Sequence, residues 1–127
     1  MESNLAGIPR LSHLQFLVVG ILRGTSLPGR KIREELRDFQ VKKSGPAFYQ
    51  LMARLEDAGL VEGRYNQEIV SSQIIRERHY TLTADGAGAW DRSRDFYLGA
   101  IRGFEGMPGL ARVMRGSGPG TPASARV

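Results

Sequence analysis

The chain is 127 residues long, with 41% hydrophobic and 24% charged residues, a balance that suits one globular domain and leaves little room for a second. It has no cysteine, which excludes a disulfide scaffold, a thiolate metal site and a cysteine nucleophile. The net charge of +5 says little by itself, because three arginines and no acids fall from Gly106 onward, leaving +2 for the rest.

No apolar run approaches the length that crosses a bilayer. The opening MESNLAGIPRL lacks the basic stretch and apolar core of a secretory leader, so a cytoplasmic protein without membrane contact is expected. Residues 1–10 read as an N-terminal extension. Leu11, Leu14, Leu17, Val18, Ile21 and Leu22 then recur at helical spacing, giving a first helix with a broad apolar face that ends at Gly24 and the turn TSLPG. Pro28 suits the start of a second helix, with Ile32, Leu36 and Phe39 on one stripe. Between Arg23 and Lys43 the charge is locally +4, from seven basic and three acidic residues, as fits either a polyanion contact or a solvated helix face.

The third helix has the clearest signature. Ser44 or Gly45 can cap it, Pro46 fits its first turn, and Phe48, Leu51, Met52, Leu55 and Ala58 mark its buried stripe before Gly59 ends it. The period then changes. LVEGRY (60–65) and RERHYTL (76–82) read as the strands of a hairpin. Its tip, NQEIVSSQII, is unusually apolar and either lengthens the strands or meets another surface. Thr83 opens a last helix, with Asp85 in its first turn and Trp90, Tyr97, Ile101 and Phe104 on one face, about 33 Å long at 1.5 Å per residue. From 107 to 127 the periodicity stops, and GSGPGTPASARV reads as a disordered tail.

This order predicts a mainly α fold with a small two-stranded β wing. A winged helix-turn-helix domain (11–83) is followed by a C-terminal dimerisation helix (84–106) whose apolar stripe outlasts the needs of a small core. Catalysis is not expected. GxSxG, P-loop and HExxH motifs are absent, and His13 and His79 have no metal-ligand spacing, so neither a metal nor a cofactor is anticipated. His79 reads as a partly packed strand residue.

The segment SGPAFYQLMARLEDAGLVEGRY with RERHYTLTADG resembles the signature of PadR-type transcriptional regulators, through Ser44, Tyr49, Leu51, Leu55, Glu56, Gly59, Leu60, Tyr80, Leu82, Thr83 and Gly86. LSHLQFLVVGIL is similar to that family's first helix, so the likeness covers about residues 11–105. Gly45-Pro46 inverts the family's usual order, Ala47 and His79 replace a threonine and a tyrosine, and Arg30 stands where an aromatic is common. These departures bear on which DNA sequence is read. The resemblance implies a repressor of the short form, which dimerises through its first and last helices and can hold flat aromatic ligands between subunits.

On the third helix, Ala47, Gln50 and Arg54 form the stripe opposite the buried one. A recognition helix in the major groove would use Gln50 on an adenine edge, Arg54 on guanine or phosphate, and Ala47 on a thymine methyl. Ser44 and Tyr49 suit phosphate oxygens, and Lys42 and Lys43 are placed to neutralise phosphates. Arg64, Arg76 and Arg78 of the wing could reach flanking DNA. The same positions also suit ordinary solvent-facing surface. Leu14, Val18, Trp90, Arg94, Tyr97, Ile101 and Phe104 are the candidates for a dimer interface or a pocket for a planar aromatic or nucleotide effector, with Tyr97 matching, by resemblance, a ligand-stacking aromatic. The expected activity is regulated repression by a homodimer on a pseudo-palindromic operator of double-stranded DNA. The alternative is a winged-helix protein-interaction module that binds no DNA.

Overall fold

Ser12 starts the first helix, α1 (His13–Leu22), by a reciprocal cap. Its hydroxyl accepts from the Gln15 amide at 3.1 Å, and its own amide donates to the Gln15 side chain at 3.0 Å. The computed structural model describes residues 9–107, so the expected tail and most of the N-terminal extension lie outside the described residues. After α1 come β1 (Ser26–Pro28), α2 (Gly29–Asp38), α3 (Gly45–Asp57), β2 (Val61–Val70), β3 (Gln73–Leu82) and α4 (Ala84–Glu105). The residues form two units, one through Ser93 and one from Arg94.

In the first unit, one cluster holds the helices and the base of the hairpin together. It contains Val18, Val19 and Leu22 of α1, Ile32 and Leu36 of α2, Phe48, Leu51, Met52 and Leu55 of α3, Val61 of β2 and Tyr80 of β3. Burying each aliphatic or aromatic side chain there is worth about 1.5–3 kcal/mol. The four residues of α3 expected to point inward do so. Phe39 does not: it caps the end of α2, outside the helical stripe, and is 55% exposed. Ala58 likewise caps α3 and is exposed.

The sheet is antiparallel in the order β1-β3-β2. The segment read as a plain turn, TSLPG, contains β1, whose Ser26, Leu27 and Pro28 pair with Thr81, Tyr80 and His79. The wing therefore has a third strand at its base. The apolar tip lengthens the hairpin: β2 and β3 stay paired from Val61–Leu82 to Val70–Gln73 and turn at Ser71 and Ser72. Both serines have positive φ, 53° and 66°, as a two-residue hairpin turn with right-handed strand twist requires.

The α3–β2 turn and the start of α4 are tied in one knot. Gly59 adopts φ of 77°, the left-handed conformation that ends α3. The Thr83 hydroxyl donates to the Gly59 carbonyl at 2.6 Å and accepts from the Gly86 amide at 3.0 Å, while the Thr83 amide donates to the Leu60 carbonyl at 3.1 Å. Gly86 is so close to Leu60 that a Cβ would overlap the Leu60 carbonyl oxygen.

The second unit contains the rest of α4. Tyr97, Leu98, Ile101 and Phe104 are exposed there, and Tyr97, Ile101 and Phe104 follow the i, i+4, i+7 spacing of one helix stripe. Arg94 pairs with Asp95 at 3.0 Å, and the Phe96 and Tyr97 rings meet edge to face at 5.3 Å.

Candidate nucleic-acid interface

The N-terminus of α3 is built to be held still. The Ser44 hydroxyl accepts from the Ala47 amide at 3.2 Å, and Pro46 presets the first turn. Arg33 of α2 reaches across to donate to the Lys43 carbonyl at 2.9 Å, with its guanidinium 5.9 Å from the Phe48 ring. The turn carrying Lys42 and Lys43 is thus pinned to α2. Lys42 is exposed and Lys43 half-buried.

Because Phe48, Leu51, Met52 and Leu55 occupy the inward side, Gln50 and Arg54 stand one helical turn apart on the outward side, exposed, with Ala47 half-buried beside them. Neither side chain has a hydrogen-bond or ion-pair partner among the described residues. A glutamine amide and a guanidinium presented this way can each make paired hydrogen bonds to a base edge.

Tyr49 turns sideways. Its ring meets Phe48 edge to face at 4.9 Å and covers Gly29 at the start of α2, where a Cβ would come within 2.9 Å of the phenol oxygen. Together with Gly29 and Arg30 of α2 and Tyr65, Arg76, Glu77 and Arg78 of the wing, it lines a polar cleft. On the wing side, arginine and tyrosine alternate. Arg76 lies 4.4 Å from the centre of the Tyr65 ring, and Arg78 lies 5.2 Å from Tyr65 and 5.9 Å from Tyr80. Arg78 also donates to Glu56 of α3 at 2.6 Å, and this hydrogen bond raises the arginine's pKa further. Burial pushes the Tyr80 phenol up to about 12, against the lowering influence of nearby Arg78. At the rim, the Arg30–Glu77 hydrogen bond holds the Glu77 carboxyl below its ordinary value.

The structure gathers Tyr49, Arg76 and Arg78 around this cleft and places Ser44, Ala47, Gln50 and Arg54 along α3. Arg64 is set apart. It opposes His79 on the other face of the hairpin, beside Glu62 at 3.7 Å. Arg33 and Tyr65 were not singled out from sequence, and Arg30 and Glu56 were named only as positions in the family resemblance, not as site residues. Cross-strand register would have found the Tyr65–Arg78 pair, but the Ser-Ser turn hides that register.

The expected interface residues divide between packing and exposure. Val18 is 0% exposed in the core cluster, so it cannot line a contact between subunits or an effector pocket. It sits one turn before Leu22 on the inward side of a helix that is apolar almost all round. Leu14 is half-buried and packs against the same cluster. Trp90 lies parallel to Phe16 at 6.2 Å between ring centres, carries the Arg23 guanidinium 4.9 Å from its own centre, and rests on Gly20. Arg23 in turn pairs with Asp91 at 3.3 Å. Arg94, Tyr97, Ile101 and Phe104 belong to the second unit, and Ile101 and Phe104 are about half exposed.

Among the described residues, no group of three or more histidine, cysteine or acidic side chains could hold a metal ion, and no helix is long and apolar enough to cross a membrane. No protein-family model and no curated protein sequence matches the chain. Solved structures do. A PadR-family transcription regulator from Clostridium difficile superposes with a TM-score of 0.64 at 20% identity, over 74% of this chain and 96% of that one. A transcriptional regulator from Clostridium thermocellum gives 0.60 at 15% identity, over 84% and 97%. Bacillus subtilis PadR, solved in complex with operator DNA, gives 0.53 at 20% identity, over 63% of this chain but only 45% of that longer protein. The fold is the winged helix of PadR-family regulators.

Proposed function

We propose that the protein is a transcriptional regulator of the PadR type that binds double-stranded DNA through α3 and the wing. The observation that carries this reading is the free presentation of Gln50 and Arg54 on the outer face of a helix whose N-terminus is capped, pinned by Arg33 and preceded by Lys42 and Lys43. Ser44, Tyr49 and Arg76 serve the phosphates, and Ala47 contacts a thymine methyl. The operator complex of Bacillus subtilis PadR supports the same use of this fold.

The protein acts as a homodimer, with the stripe of Tyr97, Ile101 and Phe104 as its interface. Two copies of α3 then enter successive major-groove turns of a pseudo-palindromic operator, with half-sites about 34–36 Å apart. Its action is repression, relieved by a planar aromatic or nucleotide effector that shifts the dimer to a state of lower operator affinity. The contacts of Trp90 with Phe16 and Arg23 make its fluorescence the readout for such an effector.

The test is a gel shift of duplex DNA from upstream of the protein's own gene. Wild type is expected to retard it, with affinity falling steeply as salt rises. Gln50→Ala with Arg54→Ala should weaken binding by about 2–6 kcal/mol, since each good bidentate contact is worth about 1–3 kcal/mol. Equal retardation by the double variant would remove α3 as the reading element. No retardation even at low salt would favour the protein-interaction module.

A further inference from the structure

The tip of the wing is not explained by phosphate or base contacts. Ile69 and Ile74 are directly opposed across the hairpin and are 78% and 70% exposed. Two neighbouring branched apolar side chains at the end of a hairpin lie outside the core cluster and form a small exposed apolar patch.

Register shows which way they face. In an antiparallel pair, opposed residues share a face and alternate residues return to it. Ile69–Ile74, Gln67–Arg76, Tyr65–Arg78 and Gly63–Tyr80 therefore all project from one face. This is the face that packs on the core at Tyr80 and lines the cleft with Tyr49 of α3. It carries Arg76 and Arg78 and no acid, whereas the opposite face carries Glu62, Glu68 and Glu77 against the single arginine Arg64. The isoleucines are the outer end of the wing's cationic face.

Reach agrees. The tip pair lies four residues beyond Tyr65, or about 13 Å at 3.3–3.4 Å per residue. Successive major-groove turns are about 34 Å apart, which puts the neighbouring minor groove about 17 Å from a helix seated in the major groove. Isoleucine cannot hydrogen-bond to the groove floor, but apolar side chains pack on sugar walls and wedge between base steps that unstack easily. Pyrimidine–purine steps are the deformable ones.

We propose that Ile69 and Ile74 form an apolar wedge that contacts the minor groove of duplex DNA about half a turn outside the bases read by α3, favouring pyrimidine–purine steps there. This rests on the DNA-binding reading above and adds a source of specificity without charge.

The test uses the full chain and a pool of duplexes with a random stretch of about 30 base pairs, long enough to span the wing's reach on both sides of a site. Wild type and the Ile69→Ser/Ile74→Ser variant each select from the pool. Because both positions are exposed, thermal melting should be unchanged in the variant. The expected result is a common central motif, with a flanking step preference present only for wild type. On the wild-type sequence the variant should bind on the order of tenfold more weakly, the equivalent of about 1.4 kcal/mol of lost apolar contact. Its salt dependence should be unchanged, since no phosphate contact is lost. Ile69→Val with Ile74→Val should retain the preference. Identical flanks and affinity for wild type and the serine variant would overturn the proposal. So would a variant altered only in self-association or in binding another protein, which would make the tip a protein-docking element. If wild type enriches no sequence while remaining folded, the DNA reading fails and takes the wedge with it.

Discussion

Arg78 of the wing and Glu56 of α3 are joined by a hydrogen-bonded ion pair 2.6 Å long, and both side chains are more than two-thirds covered. The pair links the hairpin to α3 beyond the core cluster at its base. Arg78, one of the wing arginines expected to reach flanking DNA, also makes this contact within the chain. We expect Arg78→Met and Glu56→Gln each to cost about 1 kcal/mol of stability, with the double variant costing less than the sum. Urea unfolding of the four proteins measures the coupling. Strict additivity would show that the contact adds nothing.

Glycines within α4 should respond in opposite directions to alanine. At Gly86 the new methyl would meet the Leu60 carbonyl, so a loss of about 3 kcal/mol or more is expected from overpacking against backbone that cannot yield. At Gly99 nothing lies within 4 Å, and alanine should raise helix stability by about 0.5–1 kcal/mol. Thermal melting of the two variants distinguishes local packing from general helix propensity.

Ser71 and Ser72 occupy left-handed positions that asparagine and glycine adopt with less strain. Ser71→Asn with Ser72→Gly should stabilise the hairpin by up to about 1 kcal/mol. Slower amide exchange in β2 and β3 is the expected observation, and unchanged exchange would argue against strain in this turn.

Tyr80 predicts an alkaline limit. Its phenol is held neutral in the fold up to about 12, whereas an unfolded tyrosine ionises near pH 10. The raised value means that the stabilisation is complete below pH 10 and is lost as pH rises from about 10 through 12. Tyr80→Phe has no such proton to lose. The stability of wild type relative to this variant should therefore fall across that window, as read by urea midpoints at pH 9, 10 and 11.

The legible parts of the sequence were those in which one helical face differs from the other. Phe48, Leu51, Met52 and Leu55 alternate with polar residues, so the buried and presented sides of α3 could both be read. In α1, Leu14, Leu17, Val18, Val19, Ile21 and Leu22 leave almost no polar side, and spacing could not tell Val18 in the core from a residue facing a partner. The three residues of β1, one of them proline, are too few to show alternation. The cleft was hidden for a different reason: Tyr49, Tyr65, Arg30 and Arg78 come from four elements that meet through tertiary packing, the hairpin register and the β1–β3 pairing. The motif residues Gly59, Leu60, Thr83 and Gly86 were recognised as a pattern before their shared role in the knot was visible.

That knot has a mechanical consequence. With the Thr83 hydroxyl bonded to both Gly59 and Gly86, and Leu60 pressed against Gly86, the last turn of α3 and the first turn of α4 have no separate freedom. A tilt of the first turn of α4 would therefore have to move the end of α3 with it or break these bonds. A substitution at Thr83 that removes the hydroxyl takes away both of these hydrogen bonds at once, and with them the link between the two helix ends.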